Sequence, residues 1–294
     1  MKRVNILLST YNGESYIEQQ IDSLIKQDYP ACYIFIRDDG STDGTCACLR
    51  QYEKKDRIFI TYGKNLGFLR SFKTLLSDVC EGDYWAFCDQ DDIWYCDKVS
   101  KAVRWMDNCS NDVPLLYQCS YYLTNERLEK IGICGPMIKK YNLRRGITEN
   151  IFSGFASMIN GELRTKMLRG DWEKIQYHDC WMTLIALGFG QCYFDKYIGA
   201  EHRRLTHSVS EEKIGKRIAW GIQSMLRTSP LRLRNQEFYS EFYSELSMEK
   251  QRDIALFAES GIANQVKKAF YPKRWRSKLS SELVLRGLML LNKI

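Results

Sequence analysis

The chain has 294 residues, 45% of them hydrophobic and 27% charged, with a net charge of +7. This composition excludes a chain that is disordered throughout, and no apolar run approaches the roughly 20 residues needed to cross a membrane. The apolar run after Met1 is too short for a secretory signal, so we expect a cytoplasmic protein. The 11 cysteines include no CxxC pair, which argues against a structural zinc site.

The N-terminal part of the chain alternates between strand and helix patterns. Buried strands are predicted over residues 4–9, 33–36, 57–62 and 84–88, and amphipathic helices over 15–25, 42–52, 68–79 and 97–106. This alternation is typical of an α/β protein whose mostly parallel sheet is covered by helices on both faces.

The patterns after residue 110 are more mixed. We predict strands over 114–119 and 191–194, a short helix over 180–187, and a polar, mobile loop over 135–150. After residue 210 the pattern is helical, with breaks at Pro230 and Pro272. The chain is therefore expected to comprise a first domain over 1–210 and a basic helical region over 211–294.

An acidic, glycine-containing turn over 38–44 follows the second predicted strand and precedes a helix. In open α/β sheets, ligands bind beyond the carboxyl ends of the strands, where an aspartate can accept hydrogen bonds from a base or a ribose. Ser41 or Thr42 can equally cap the following helix, so the turn alone leaves a purely structural role open.

Three aspartates, Asp89, Asp91 and Asp92, crowd into four residues at the end of the fourth predicted strand. Their charges repel one another, and Mg²⁺ or Mn²⁺ removes this repulsion because such cations prefer oxygen ligands and share them with substrate phosphates. The chain has no GxxxxGK[ST] phosphate loop, so the metal would have to hold a diphosphate. A solvated acidic turn is the alternative interpretation.

A third signal lies in residues 177–181, which read Tyr-His-Asp-Cys-Trp. Asp179 stands at the start of a short apolar helix. It can cap that helix, or it can act as a general base that takes a proton from a hydroxyl. Taken without other context, the residues favour the cap.

Six segments, in order and spacing, resemble the large family-2 glycosyltransferases. They are residues 9–14 (STYNGE), 38–43 (DDGSTD), 65–68 (NLGF), 89–94 (DQDDIW), 153–158 (SGFASM, similar to a segment near the acceptor) and 178–181 (HDCW, similar to an HDWW-type segment). Within that family the chain is most similar to the rhamnosyltransferase-like enzymes of bacterial cell-surface polysaccharide synthesis.

The resemblance implies a GT-A fold: an α/β domain with a mixed, mostly parallel sheet, a Rossmann-like nucleotide-binding half and a helical C-terminal extension. It implies a metal-dependent, inverting glycosyltransferase that uses Mg²⁺ or Mn²⁺, with Asp91 and Asp89 serving the metal and Asp179 as the catalytic base. The residues that it assigns to nucleotide binding are Thr10, Tyr11, Asn12, Glu14, Asp39, Asn65, Asp89 and Gln90.

The sequence departs from the family pattern in two places. Cys180 stands where the HDWW-type segment commonly has Trp. The YRxH-type segment reads His-Arg-Arg-Leu-Thr-His over 202–207, so its alignment is open by a residue or more. Arg203 or His207 is predicted to contact the diphosphate or the metal, and a structural histidine is the alternative for His207.

The resemblance also implies the substrates. The donor is expected to be a nucleoside-diphosphate sugar, with dTDP-rhamnose as the first expectation and a UDP-hexose as the second. The acceptor is expected to be a saccharide carried on a polyprenyl diphosphate lipid.

The C-terminal third carries the whole net charge, since residues 211–294 hold 16 Lys and Arg against 9 Asp and Glu. The basic segment 273–278, with Trp275, precedes an apolar helical stretch, which predicts peripheral attachment to the inner face of an anionic membrane. Packing of the same helix on the catalytic domain is the alternative, and the two are compatible. No nucleic-acid recognition pattern is present, so no nucleic-acid partner is expected.

Two other functions compete with the transferase. A sugar nucleotidyltransferase usually carries a glycine-rich, basic loop near its first strand, and residues 9–14 show no such loop. A non-catalytic sugar- or lipid-binding protein on the same scaffold is expected to have lost carboxylates at the metal or base position. Asp89, Asp91 and Asp179 are all present.

Overall fold

The computed structural model describes residues 1–136, 141–205 and 229–294. Spatial contacts divide the chain into two compact units. The first, called here the sheet unit, comprises residues 1–137, 152–168 and 190–205, and the second, the helical unit, comprises 138–151, 169–189 and 206–294.

The strands of the described residues form one sheet in the order β3-β2-β1-β4-β8-β6-β9-β5, with β7 paired to β6. Their bounds are β1 Val4–Thr10, β2 Cys32–Asp38, β3 Ile58–Tyr62, β4 Tyr84–Cys88, β5 Ile93–Trp94, β6 Leu115–Thr124, β7 Lys130–Cys134, β8 Ser157–Asn160 and β9 Gln191–Arg203.

The first four strands pair with one another in parallel, as the alternating pattern predicts. β1 lies between β2 and β4, and its residues Val4, Ile6, Leu7 and Leu8 are fully buried. A strand that is buried on both faces needs a continuous apolar run, and the sequence of β1 contains one. Because β1, β2 and β4 are parallel, their carboxyl ends reach the same edge of the sheet.

The second half of the sheet is mixed. β8 is antiparallel to β4 and β6, whereas β9 is parallel to β6 and antiparallel to β5. β9 has 13 residues, far more than the predicted strand over 191–194. Its later part includes Lys196, Glu201 and His202, so it lacks the apolar pattern that would predict a strand. It is a strand because it pairs with β6.

Helices connect the strands of the sheet unit. Their bounds are α1 Ile17–Ile25, α2 Thr45–Arg50, α3 Phe68–Asp78, α4 Lys98–Met106 and α6 Gly161–Arg169. Each of the first four begins within a few residues of its predicted start, because amphipathic spacing is a strong signal in surface helices.

The helical unit contains α5 Leu143–Gly146, α7 His178–Phe189, α8 Pro230–Phe242, α9 Met248–Ala258, α10 Ile262–Ala269 and α11 Leu279–Leu290. The predicted mobile loop over 135–150 is wrong for its later part, since α5 buries Leu143 and Gly146 and the following Ile147 is also buried. Residues 137–140 lie outside the described part of the chain. Pro230 begins α8, where its missing N–H costs nothing.

The unit boundaries differ from the predicted boundary at residue 210. The helical unit also takes in 138–151 and 169–189, where the described side chains of Leu143, Trp172 and Trp181 are buried. The assignment of residues 1–210 to catalysis therefore stays a prediction. Within the described ranges, every helix is too short or too polar to cross a bilayer.

Candidate active site

The loops after β1 and β4 meet through Gln90. Its side-chain oxygen accepts hydrogen bonds from Thr10 Oγ1 at 2.6 Å and from the Tyr11 backbone N–H at 2.8 Å, while its amide donates to the Tyr11 carbonyl at 3.2 Å. A Cβ on Gly13 would lie 2.4 Å from the same oxygen, so glycine permits this close approach. Thr10, Tyr11 and Gln90, all predicted to bind the nucleotide, are thus brought together.

The loop after β1 also holds the loop after β2. Asn12, with a positive φ of 48°, accepts from the Thr42 N–H at 2.8 Å, and its own N–H donates to Ser41 Oγ at 2.9 Å. Glu14 accepts from the N–H of Gly44, which precedes the first turn of α2, at 3.0 Å. An anion at a helix N-terminus is favourable, so Glu14 stabilises the start of α2.

Asp39 is only 2% exposed and pairs with the buried guanidinium of Arg37. Its carboxylate also accepts the backbone N–H groups of Leu66 and Gly67, at 2.9 and 2.8 Å. Asp39 therefore fixes the segment that carries Asn65. The conformation of that segment needs glycine at 67, whose φ is 82°.

Replacing Asp39 with alanine should lower the free energy of unfolding by about 3–5 kcal/mol, because it leaves the Arg37 charge buried without its partner. Chemical denaturation measures the change. Replacing both residues with leucine should cost less than the single change, since no unpaired charge remains. A loss below about 1 kcal/mol in the single variant, typical of an exposed pair, would contradict a structural role.

Two of the residues predicted to bind the nucleotide are exposed at this edge of the sheet. Tyr11 is 45% exposed, and Asn65 is also exposed, with its side-chain oxygen accepting from the Gly67 N–H at 3.1 Å. An exposed tyrosine ring beside hydrogen-bonding groups is suited to contact a base or a sugar. Leu66 and Phe68 add exposed apolar surface to the same segment.

The acidic turn after β4 separates its three carboxylates. Asp92 is fully buried and its Oδ1 lies 2.8 Å from His202 Nδ1, whereas Asp89 and Asp91 are only partly buried. This pairing arises because β5, which directly follows Asp92, pairs with β9 at Ala200 and Glu201. Asp89 and Asp91 are therefore the carboxylates of this turn that remain accessible.

Electrostatics in the turn disfavour negative charge in the absence of a cation. Burial, and then the neighbouring charge of Asp92, raise the pKa of Asp91 to about 6. His202 is desolvated, which lowers its pKa, but Asp92 outweighs this effect and raises the pKa to about 9. At neutral pH His202 is therefore protonated and places a positive charge beside Asp92.

The turn fits a divalent cation that arrives with a diphosphate. No donor among the described residues satisfies Asp92 Oδ2, so this buried oxygen is left without a hydrogen bond. The described residues also contain no group of three or more His, Cys, Asp or Glu side chains arranged to hold a metal by themselves. Mg²⁺-type sites commonly use one or two carboxylates together with substrate phosphates and water, and Asp89 and Asp91 supply that number.

Arg203 lies behind the acidic turn. Its guanidinium donates to the carbonyls of Asp91 and Glu126 at 3.1 and 2.8 Å and to the Gln19 side chain at 2.8 Å, and it lies over the Tyr16 ring. Arg203 is 5% exposed, so its first role is to fix the Asp91 backbone. Its predicted contact with the diphosphate stays a prediction, and His207 lies outside the described residues.

His202 is the site residue that the sequence analysis missed. The Phe155 ring stacks on its imidazole at 4.4 Å, and the Tyr121 ring meets it edge-on at 5.8 Å. Phe155 belongs to segment 153–158, which is thereby placed beside the acidic turn. The segment 202–207 was identified as a YRxH-type motif, but its alignment was open. Only the pairing of β9 shows that His202 is the side chain that faces Asp92.

Asp179 belongs to the helical unit, where it is the second residue of α7. Its Oδ1 accepts from the Cys180 N–H at 2.7 Å, and its Oδ2 accepts from Asn150 Nδ2 at 2.7 Å. The carboxylate is half-buried and held in one orientation. A partly exposed, oriented carboxylate can accept a proton, while its bond to the first turn also serves the helix.

Several named proteins share stretches of this sequence. The putative teichuronic acid biosynthesis glycosyltransferase TuaG of Bacillus subtilis is 28% identical over 218 residues, which cover 71% of this chain and 82% of that protein. The dTDP-rhamnosyl transferase RfbG of Shigella flexneri is 39% identical over 102 residues, 33% of this chain and 35% of that protein. The chain thus spans only about a third of the second relative.

Solved structures share the fold. TarS 1–349 of Staphylococcus aureus in complex with UDP-GlcNAc superposes over 99% of this chain and 79% of that chain, with a TM-score of 0.63 and 18% identity. The mannosyltransferase PcManGT of Pyrobaculum calidifontis, in complex with GDP-Man and Mn²⁺, covers 99% and 87% with a TM-score of 0.54 and 18% identity. These likenesses and the mixed, helix-flanked sheet confirm the predicted GT-A fold.

The sequence profile described as glycosyl transferase family 2 matches residues 5–165, which is more than half of the chain and includes the loops after β1, β2 and β4. The chain is therefore a glycosyltransferase that belongs to family 2.

Proposed function

We propose that this chain transfers a sugar from a nucleoside diphosphate to a saccharide acceptor, with a divalent metal and with inversion at the anomeric carbon. The observation that carries the proposal is the acidic turn, which presents Asp89 and Asp91 beside the rim built by Thr10, Tyr11 and Gln90. A nucleoside diphosphate needs both parts. Its base and ribose require polar and aromatic contacts, which the rim would provide. Its phosphates require positive charge, which a cation held by the acidic turn would provide.

Asp91, with Asp89, would hold Mg²⁺ or Mn²⁺. When bound, the cation supplies positive charge that offsets the charge developing on the diphosphate as it leaves. The protein's part is to keep Asp91 in place, and Arg203 and the Asp92–His202 pair do so from behind. The metal that accompanies GDP-Man in PcManGT supports this assignment.

Asp179 would act as the general base. It would accept the proton of an acceptor hydroxyl while that oxygen attacks the anomeric carbon from the face opposite the leaving group. The bond from that carbon to the diphosphate oxygen breaks, and its electron pair leaves with the diphosphate. A single displacement inverts the configuration, as it does in single-step glycosidases.

The relatives suggest the substrate class. RfbG is named as a dTDP-rhamnosyl transferase, and TarS binds UDP-GlcNAc, so dTDP-rhamnose is the first donor we propose and a UDP-hexose the second. TuaG is named for teichuronic acid and TarS for poly(ribitol-phosphate), which supports a bacterial cell-surface polysaccharide as the product. We propose a saccharide on a polyprenyl diphosphate lipid as the acceptor.

Transfer itself tests the proposal. dTDP-rhamnose and UDP-hexoses are offered separately with Mn²⁺ and polyprenyl diphosphate-linked saccharides, and release of the nucleoside diphosphate is followed. We expect release with one donor class, loss of release on chelation, and an inverted anomeric configuration in the product by NMR. A retained configuration would contradict the single displacement, and the absence of release with every donor would contradict the transferase.

We also propose that the C-terminal helices attach the enzyme to the cytoplasmic face of the membrane. On α11, Leu285 and Met289 are buried while Leu283 and Val284 are more than 60% exposed, so one face packs and the other is free for lipid. Trp275 does not take part, since it is fully buried and its indole donates to the Lys268 carbonyl. Exposed apolar residues beside basic ones are the pattern of a helix that lies on an anionic surface.

Replacing Leu283 and Val284 together with glutamate should reduce binding to phosphatidylglycerol vesicles at least about tenfold, because each apolar side chain contributes about 1.5–3 kcal/mol when buried in lipid. Vesicle co-sedimentation measures the change. Ile131 and Ile133 on β7 are similarly exposed, so glutamates there form the matched control and should leave binding unaltered. Equal loss in both variants would indicate non-specific repulsion and would remove α11 from the interface.

A further inference from the structure

The helical unit contains a cavity of about 260 Å³ whose lining includes residues that neighbour Asp179. Asn150, which donates to the Asp179 carboxylate at 2.7 Å, lines this cavity, as do Tyr177 and Cys180 on either side of Asp179 in the sequence. The volume is somewhat below the 300–1,000 Å³ typical of sites for drug-sized ligands, so it suits one sugar residue or its charged substituent.

Arg234 of α8 also lines the cavity, although it is distant in sequence from Asn150 and Cys180. The residue is only 5% exposed. Its Nη2 donates to the carbonyls of Gly146 and Ile147, but its Nε has no hydrogen-bond partner among the described residues. Among the described residues no carboxylate forms a salt bridge with this guanidinium, although the charge of Asp179 acts on it from a longer distance and the Cys180 side chain contacts it. A buried arginine that lacks a counter-ion is costly unless an anion reaches it.

The other polar groups of the cavity do not supply that anion. Glu149 accepts hydrogen bonds from the Ser277 N–H at 2.8 Å and Oγ at 2.7 Å, so both of its oxygens are engaged elsewhere. Burial raises the pKa of the Cys180 thiol to about 12, so the thiol stays neutral at physiological pH. Thr148 is uncharged, although its hydroxyl donates to the Trp275 carbonyl.

We propose that this cavity binds an anionic group of the acceptor, a carboxylate or a phosphate, through Arg234. The inference rests on the proposed function and narrows it: the saccharide that Asp179 deprotonates is an acidic one. A guanidinium is well suited to the task because its fork of N–H groups matches the oxygens of either anion. Asn150 links the two sites, since it contacts the Asp179 carboxylate and lines the cavity.

The test titrates the 294-residue chain, by ligand-observed NMR, with two pairs of probes that differ in charge. D-glucuronate is compared with D-glucose, and glycerol 1-phosphate is compared with glycerol. We expect the wild-type protein to bind at least one anion at least about tenfold more tightly than its neutral partner, since hydrogen bonds to charged groups are the stronger ones. The two arms show whether a carboxylate or a phosphate is preferred.

Two variants assign that binding to the cavity. Arg234→Gln should weaken anion binding at least about tenfold, and Arg234→Lys, which keeps the charge without the fork, should weaken it less. Arg232→Gln makes the same charge change on the same helix at a residue outside the cavity lining, and it should bind as the wild type does. Equal binding by Arg234→Gln and the wild type would overturn the inference, as would equal binding of charged and neutral probes.

A change that fills the cavity protects the test against a folding defect, because Arg234 also holds two carbonyls. Cys180→Trp restores the residue common in the HDWW-type segment and should place its ring in the cavity. We expect it to lose anion binding while it still binds dTDP or UDP with Mn²⁺. Undiminished anion binding in this variant would place the anion elsewhere.

Nucleotide titrations on the same samples separate the two proposals. If the wild type binds a nucleoside diphosphate but shows no preference for the anions, the acidic acceptor is wrong and the transferase stands. If the wild type binds no nucleoside diphosphate, the proposed function fails, and with it the inference that rests on it.

Discussion

Replacing Asp91 with alanine is expected to abolish metal-dependent binding of the nucleoside diphosphate. Asp91 is one of the two carboxylates that the acidic turn leaves accessible, since Asp92 is buried against His202. A diphosphate bound without the metal would face the carboxylate of Asp89 with no cation between them. The cation is therefore needed for affinity, and its loss cannot be compensated by a phosphate loop, which the sequence lacks.

Calorimetric titration with dTDP and UDP, each with Mn²⁺ and with a chelator, measures this effect. For the wild type we expect binding that disappears with the chelator, and for Asp91→Ala we expect weak or no binding in both conditions. Asp112→Ala removes an exposed carboxylate from the same unit and should behave as the wild type. Wild-type affinity in Asp91→Ala, with or without Mn²⁺, would remove the case for a metal at this turn.

Asp179→Asn is expected to lower turnover by about 10²–10⁴-fold, the contribution typical of a general base. The substitution preserves shape, and its side-chain oxygen can still accept the Cys180 N–H. Donor binding should be unaltered, because the predicted nucleotide residues belong to the sheet unit and Asp179 belongs to the helical unit. The expected signature is a loss of kcat without a loss of nucleotide affinity.

Asp171→Asn is the matched control for this variant. Asp171 is also an acidic residue of the helical unit, and its carboxylate also accepts a backbone N–H, that of Glu173 at 3.1 Å. It should retain wild-type turnover. Near-normal turnover in Asp179→Asn would instead show that Asp179 is not the general base and only stabilises the first turn of α7.

The nucleotide-binding half of the fold was predictable because its signals are local. β1 and β4 are apolar runs that are buried on both faces, and polar residues follow each of them directly. The topology of parallel strands then brings Thr10, Asp39 and Gln90 to one edge of the sheet. Short-range patterns and one topological rule were sufficient for this part of the site.

The other half depends on pairings between residues that are far apart in the chain. His202 meets Asp92 across 110 residues, and only the pairing of β5 with β9 brings them together. The same pairing turns Arg203 toward the Asp91 backbone. β9 itself carries adjacent charged residues, at 195–196 and at 201–203, so its pattern resembles a surface loop until its neighbours are known.

Several residues that were predicted to bind the nucleotide also hold the loops around the site in place. The Asp39 carboxylate already accepts hydrogen bonds from Arg37 and from the backbone N–H groups of Leu66 and Gly67. Glu14 stabilises the start of α2. A motif identifies such residues but does not distinguish a group that touches the nucleotide from one that shapes the loop around it. Whether Asp39 and Glu14 also contact the nucleotide stays a prediction.

Trp275 illustrates the same limit in the C-terminal region. A tryptophan within a basic segment suggested a contact with lipid, but its ring packs against Phe257 and Tyr271. The exposed apolar residues lie instead on α10 and α11, at Ile262 and Leu283 for example. Amphipathic spacing shows that a helix has an apolar face, but when both faces are apolar it does not show which one is buried.

Thermal stabilisation by nucleoside diphosphates tests the central claim most directly. The full chain is melted with dTDP, UDP and GDP and with the corresponding nucleotide sugars, each with and without Mn²⁺. A ligand at 100 times its dissociation constant adds about 2.7 kcal/mol to the free energy of unfolding, which a melting curve resolves. We predict a rise in Tm with dTDP or UDP that requires Mn²⁺. No rise with any nucleotide would contradict a metal-dependent transferase and favour a non-catalytic protein on this fold.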